Sequence, residues 1–103
     1  MKGKQLDTWC ALMAGRLALE EFGWTQFRRQ DEKGRVCAIG ALRASQANDD
    51  KSCDLHGYYA LSNVVEELTG DFSIAGFNDA PGRTKRQVLA AFDRALAAVE
   101  RGE

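Results

Sequence analysis

The sequence predicts an all-α protein, a compact bundle of about four helices in a single domain spanning residues 1–103. Two observations predict it. Apolar residues recur at three- and four-residue steps in three long stretches, the signature of helices with one face turned to a core. Helix punctuation also falls where those stretches begin and end: glycines at Gly23 and Gly70, and a Thr84-Lys85-Arg86-Gln87 capping box.

The first stretch places Leu6, Trp9, Cys10, Met13 and Leu17 on one face, with Leu12 and Leu19 widening it toward a second neighbour. Asp7 or Thr8 is the expected cap, and Phe22-Gly23 the expected stop. Residues 24–35, WTQFRRQDEKGR, are polar with two aromatic anchors, and DEKG is a turn signal. The flanks of that turn leave room for a short two-stranded hairpin around residues 25–37, although isolated strand pairs are marginal.

Residues 36–47, VCAIGALRASQA, read as a second helix rich in small side chains. Glycine inside a helix costs about 1 kcal/mol relative to alanine. Gly40 therefore points to the close approach of another backbone or of a ligand, with tight helix–helix packing as the plain reading. Residues 48–56, NDDKSCDLH, read as a polar loop. The third helix carries Tyr58, Leu61, Val64, Val65 and Leu68 as its stripe, with Glu66 and Glu67 facing water. The segment FSIAGFNDAPGRT reads as a joint. Phe72, Ile74 and Phe77 plug it into the core, Asn78 and Asp79 bond nearby backbone amides, and Pro81-Gly82 turns the chain. Val88, Leu89, Phe92, Leu96 and Val99 form the face of the last helix.

Composition narrows the function classes. A formal net charge of −1 gives no overall field for a polyanion, so nucleic acid is not the expected partner. No segment approaches the roughly 20 apolar residues that span a bilayer. Arg16, Glu20 and Glu21 break the apolar run near the N-terminus, so the expectation is a cytoplasmic protein that is not exported. Three cysteines without close pairing (Cys10, Cys37 and Cys53) suit a reducing compartment rather than a disulfide framework.

No constellation identifies a reaction, and the expectation is a non-enzyme with no catalytic residue, no metal and no cofactor. Cys53 and His56 have Cys-x-x-His spacing, but a structural zinc site needs a second close pair, and Cys10 and Cys37 lie in apolar helices as small core residues. His56 is the single histidine, the base any activated Cys37 or Cys53 would need. The carboxylates Asp49, Asp50, Asp54, Glu66, Glu67, Asp71 and Asp79 follow no hydrolase or calcium-loop order. Arg83, Thr84, Lys85 and Arg86 gather at a helix start, where free N–H groups favour anions.

What stands out is the supply of large rings and arginines. Trp, Tyr and Arg dominate interface anchors. Trp24, Phe27, Arg28, Arg29 and Tyr59 are the candidate contacts for a protein partner, and self-association is left open. The alternative is a small-molecule site for a nucleotide or other anion where the CAIGAL helix meets the loop at residues 78–84.

Three segments in order, GWTQF, GRVCAIGAL and FNDAPGRTKRQVLAAFDRA, resemble an uncharacterised family of small bacterial and bacteriophage proteins. The resemblance spans about residues 23–95 and implies an architecture and motif positions, namely Trp24, Cys37, Gly40, Asn78, Asp79, Arg83 and Thr84. All of these except Trp24 are the residues of the alternative ligand site. No activity comes with it. The bacterial or phage setting it implies is one in which small proteins often act by binding a partner, as inhibitors do.

Overall fold

The computed structural model describes residues 1–44 and 51–102, and the side chains of all of these except 51–54. Among the described residues there are five helices and no strand. They are α1 (Gly3–Phe22), α2 (Ala38–Ala44), α3 (Lys51–Thr69), α4 (Ile74–Asp79) and α5 (Lys85–Glu100).

Helix α1 is the central element, touching α2, α3 and α5. Its buried face differs from the expected stripe. Ala11, Leu12, Gly15, Ala18 and Leu19 are buried, whereas Leu6 and Leu17 are about half exposed and Cys10 is exposed. The reason is that α1 is apolar on nearly every side, so periodicity alone does not choose a face. Packing against three helices selects the face with small residues, which admit close neighbours: a Cβ on Gly15 would lie 3.0 Å from the Phe92 ring. The helix also begins earlier than expected, at Gly3 after Lys2, with no side-chain cap. Thr8 instead donates its hydroxyl to the Lys4 carbonyl at 2.8 Å. Gly23 ends the helix as expected, with φ 95° and its N–H on the Leu19 carbonyl.

Helix α5 runs antiparallel to α1. Gln5 donates to the Val99 carbonyl at 2.6 Å near one end, and Arg16 donates to Asp93 at 2.6 Å further along. The Asp93 bond raises the Arg16 pKa above its ordinary value, keeping the guanidinium charged. The capping box is present: Thr84 Oγ1 accepts from the Gln87 N–H, and Gln87 Oε1 accepts from the Thr84 N–H. Val88, Phe92, Leu96 and Val99 are buried, as their spacing predicts.

Helix α3 starts before the expected point. Residues 51–56, read as loop, are helical, and residues 48–50 lie outside the described residues. Leu61, Val64 and Val65 of its stripe are buried, and Leu68 is not. Helix α4 is the one element absent from the sequence reading. Ser73 caps it by accepting the Gly76 N–H at 2.9 Å, and it buries Ile74 and Phe77. Phe72, expected in the core, is 58% exposed because it precedes that cap.

No hairpin forms at residues 25–37. Val36 makes isolated bridges, parallel to Trp24 and antiparallel to Gln30. Phe27 takes φ 70°, turning the chain before an extended run can pair. The DEKG turn does form. Asp31 accepts from the Lys33 and Arg35 amides at 3.0 and 2.9 Å and from Arg35 Nε at 2.5 Å.

Candidate functional site

The 24–30 loop is fastened to the rest of the molecule by Asn78, at the C-terminal end of α4. Its side chain is buried, at 1% exposure, and every polar atom is used. The side-chain oxygen accepts from the Trp24 indole N–H at 2.8 Å and from the Ala38 amide at 3.0 Å. The side-chain nitrogen donates to the Thr25 carbonyl at 3.1 Å and to Asp79 Oδ1 at 2.9 Å. A buried amide survives in a core only when satisfied in this way. The expectation that Asn78 and Asp79 bond nearby amides is thus corrected: apart from the bond between the two side chains, their partners on the 24–30 loop and at Ala38 lie some 40–54 residues away in sequence.

The bond to Ala38 does a second job. A helix leaves its first amides without partners. For α2, Asn78 takes the Ala38 N–H and the Cys37 sulfur takes the Gly40 N–H at 3.3 Å. Gly40 is explained by backbone approach: a Cβ there would lie 2.0 Å from the Arg29 carbonyl oxygen, which itself accepts the Cys37 amide at 3.1 Å. The neighbour is the 24–30 loop rather than another helix.

Asp79 fixes the tip of the loop by accepting the Phe27 amide at 2.8 Å, while Gln26 donates to the Asn78 and Ala80 carbonyls at 3.1 and 3.2 Å. Arg83 Nε donates to the Phe77 carbonyl at 2.7 Å, and its guanidinium lies 4.0 Å over the centre of the Phe77 ring. The alternative ligand set therefore does converge in part. Cys37, Asn78 and Asp79 meet around the loop, Gly40 abuts it, Arg83 braces α4 and Thr84 caps α5, and each of these contacts is internal.

The candidate partner residues divide. Trp24 packs partly into the core. Phe27 is 77% exposed, Tyr59 is 60% exposed, and Arg28 and Arg29 are exposed. Arg29 and Tyr59 share a groove of about 610 Å³ between α2 and α3, whose other lining residues are Ile39, Leu42, Arg43, Leu55 and Tyr58. The sequence reading missed Ile39, Leu42, Arg43 and Leu55. The signal was available: 39, 42, 43 and 55, 58, 59 each run i, i+3, i+4 on a helix, once α3 is extended back past Tyr58.

Among the described residues, no three of His, Cys, Asp and Glu gather as metal ligands. The Cys53 side chain, Asp49, Asp50 and the Asp54 side chain lie outside what the structure describes. None of the described helices is long and apolar enough to cross a membrane.

Fold and site together define a small all-α protein that uses one buried asparagine to brace an aromatic-tipped loop beside an open groove. The chain belongs to a family of unknown function (DUF6197), whose model matches residues 10–98. Neither a curated protein nor a solved structure gives a match.

Proposed function

We propose that the protein is a non-enzymatic binding module that engages a protein partner through the Phe27 loop, Arg28, Arg29 and Tyr59, as a small bacterial or phage-encoded inhibitor would. One observation carries the reading. Phe27 holds a left-handed backbone while its ring is 77% exposed. That conformation costs a residue with a side chain about 1–2 kcal/mol, and an exposed ring returns little of it by burial. The loop is nevertheless held there by the Asp79 bond to the Phe27 amide and by the Asn78 contacts. Strain maintained by a polar network anchored on the buried Asn78 and ending in a displayed aromatic is what a preorganised contact residue requires.

The test is capture from a bacterial lysate with the wild-type protein and with Phe27→Gly, Arg28→Ala, Arg29→Ala and Tyr59→Ala. The expected result is loss of the captured protein with circular dichroism unchanged. Capture that survives in all four folded variants removes the reading.

A further inference from the structure

We infer that the α2–α3 groove receives an acidic, amphipathic helical segment of the partner. This inference rests on the binding-module reading and gives that partner a chemistry. Each wall of the groove is one turn of helix face: Ile39, Leu42 and Arg43 on α2, Leu55, Tyr58 and Tyr59 on α3. Two helix faces meeting over an open trough are the geometry into which a third helix lays its apolar stripe, read as anchors at i, i+3, i+4 and i+7.

Charge settles which helix. Among the described residues, the charged ones lining the groove are Arg29 and Arg43, both exposed, and none is acidic. Arg28 adds a third exposed cation next in the chain. A segment with carboxylates flanking its apolar stripe is complementary, and guanidinium groups take carboxylates in two-pronged bonds. A second copy of this chain docking by its Phe27 loop fits poorly, because Arg28 and Arg29 beside that ring would bring like charges together. A nucleic-acid strand fits poorly as well. Tyr58 and Tyr59 offer rings for stacking, but Ile39, Leu42 and Leu55 make the rest of the lining aliphatic, and two arginines make no track for a phosphate backbone.

The experiment is selection of displayed random peptides on the immobilised protein, run in parallel on the Arg29→Glu/Arg43→Glu double variant. The expected wild-type winners carry apolar residues at helical spacing flanked by Asp and Glu. The charge-reversed protein is expected to select Lys- and Arg-flanked winners instead. A labelled wild-type winner should bind about tenfold or more weakly to Tyr59→Ala, and more weakly as salt rises. Several results overturn the inference: winners without acidic bias, the same winners on both proteins, or no winners. Preferential binding of a labelled oligo-dT strand would do so too, as would self-association lost on Tyr59→Ala. Peptide binding that tightens in Asp49→Asn/Asp50→Asn would assign the groove to the chain's own acidic segment and overturn it as well. If lysate capture depends on Phe27 and Tyr59 but the winners lack acidic residues, only the chemistry of the groove falls. If capture ignores those residues, the binding-module reading falls first.

Discussion

The Asp79 carboxylate accepts the Phe27 amide at 2.8 Å across 52 residues of sequence, and with the Asn78 contacts that bond holds the backbone of the most exposed large apolar side chain in the described structure. Stability and display are therefore opposed at Phe27, and the opposition can be measured. Phe27→Gly removes the left-handed penalty of about 1–2 kcal/mol and adds about 0.5–1 kcal/mol of chain entropy to the unfolded state. The expected outcome in urea denaturation is a protein as stable as wild type or up to about 1.5 kcal/mol more stable, and defective in capture. Marked destabilisation would show that the Phe27 ring belongs to the core.

Asn78→Ala leaves the Ala38 amide and the Trp24 indole N–H without their acceptor. An orphaned buried donor costs about 1–3 kcal/mol, so the expected loss is about 2–4 kcal/mol by urea denaturation. Trp24 fluorescence should shift as its indole is freed. A loss below about 0.5 kcal/mol would mean that water replaces the amide easily.

At Gly40, helix propensity and packing predict opposite signs. Alanine would gain about 1 kcal/mol in an exposed helix interior. Here its Cβ would lie 2.0 Å from the Arg29 carbonyl oxygen, so the 24–30 loop must move. Overpacking of this kind costs about 1–3 kcal/mol. Gly40→Ala is expected to lower the thermal midpoint and weaken partner capture, and a raised midpoint would refute the backbone contact.

Asp31 predicts a pH dependence. Burial pushes its carboxyl up, but the bonds from the Arg35 side chain and from the Arg35 and Lys33 amides outweigh this and hold its pKa below the ordinary value. A carboxyl with a depressed folded pKa contributes stability that is present above its unfolded pKa and lost as pH falls through the folded one. The turn at residues 31–35 should therefore loosen below about pH 4. Protection of the Arg35 amide, measured as its exchange relative to the intrinsic rate at each pH, should fall over that range in wild type, and the fall should be absent in Asp31→Asn.

How much of this was legible in the sequence depended on whether the cause was local. Helix α5 was legible because its apolar residues share one face and Thr84 and Gln87 cap each other within one turn. Helix α1 was legible as a helix, but its buried side was not. With apolar residues all round, only the arrangement of α2, α3 and α5 decides that Leu12 is buried and Leu17 is not. The six residues of α4 hold too few turns to show a period. Gly40 announced a close approach but not what approaches. Asn78-Asp79 looks like any turn dipeptide, since nothing near it in the chain marks Trp24, Thr25, Phe27 and Ala38 as its partners. The exposure of Phe27 was among the expected contacts, but its left-handed backbone was not, because that conformation is imposed by Asp79 from another element.

The long reach of Asn78 also orders events in time. Its bonds to Ala38, Thr25 and Trp24 span 40, 53 and 54 residues, whereas the bonds within α5 close over four. Closing a loop costs more entropy as it lengthens, so local helical contacts are expected to form before the asparagine junction, while the α1–α5 contacts, Gln5 with Val99 and Arg16 with Asp93, close loops longer still. Substitution at a late contact speeds unfolding and leaves the folding rate nearly unchanged. The Phe27 and Ala38 amides should then exchange with solvent through a partial opening that leaves α1 and α5 intact. In that opened form the helices persist while the aromatic tip loses its fixed posture, so the lifetime of the presented ring is set by the rate at which one side chain lets go.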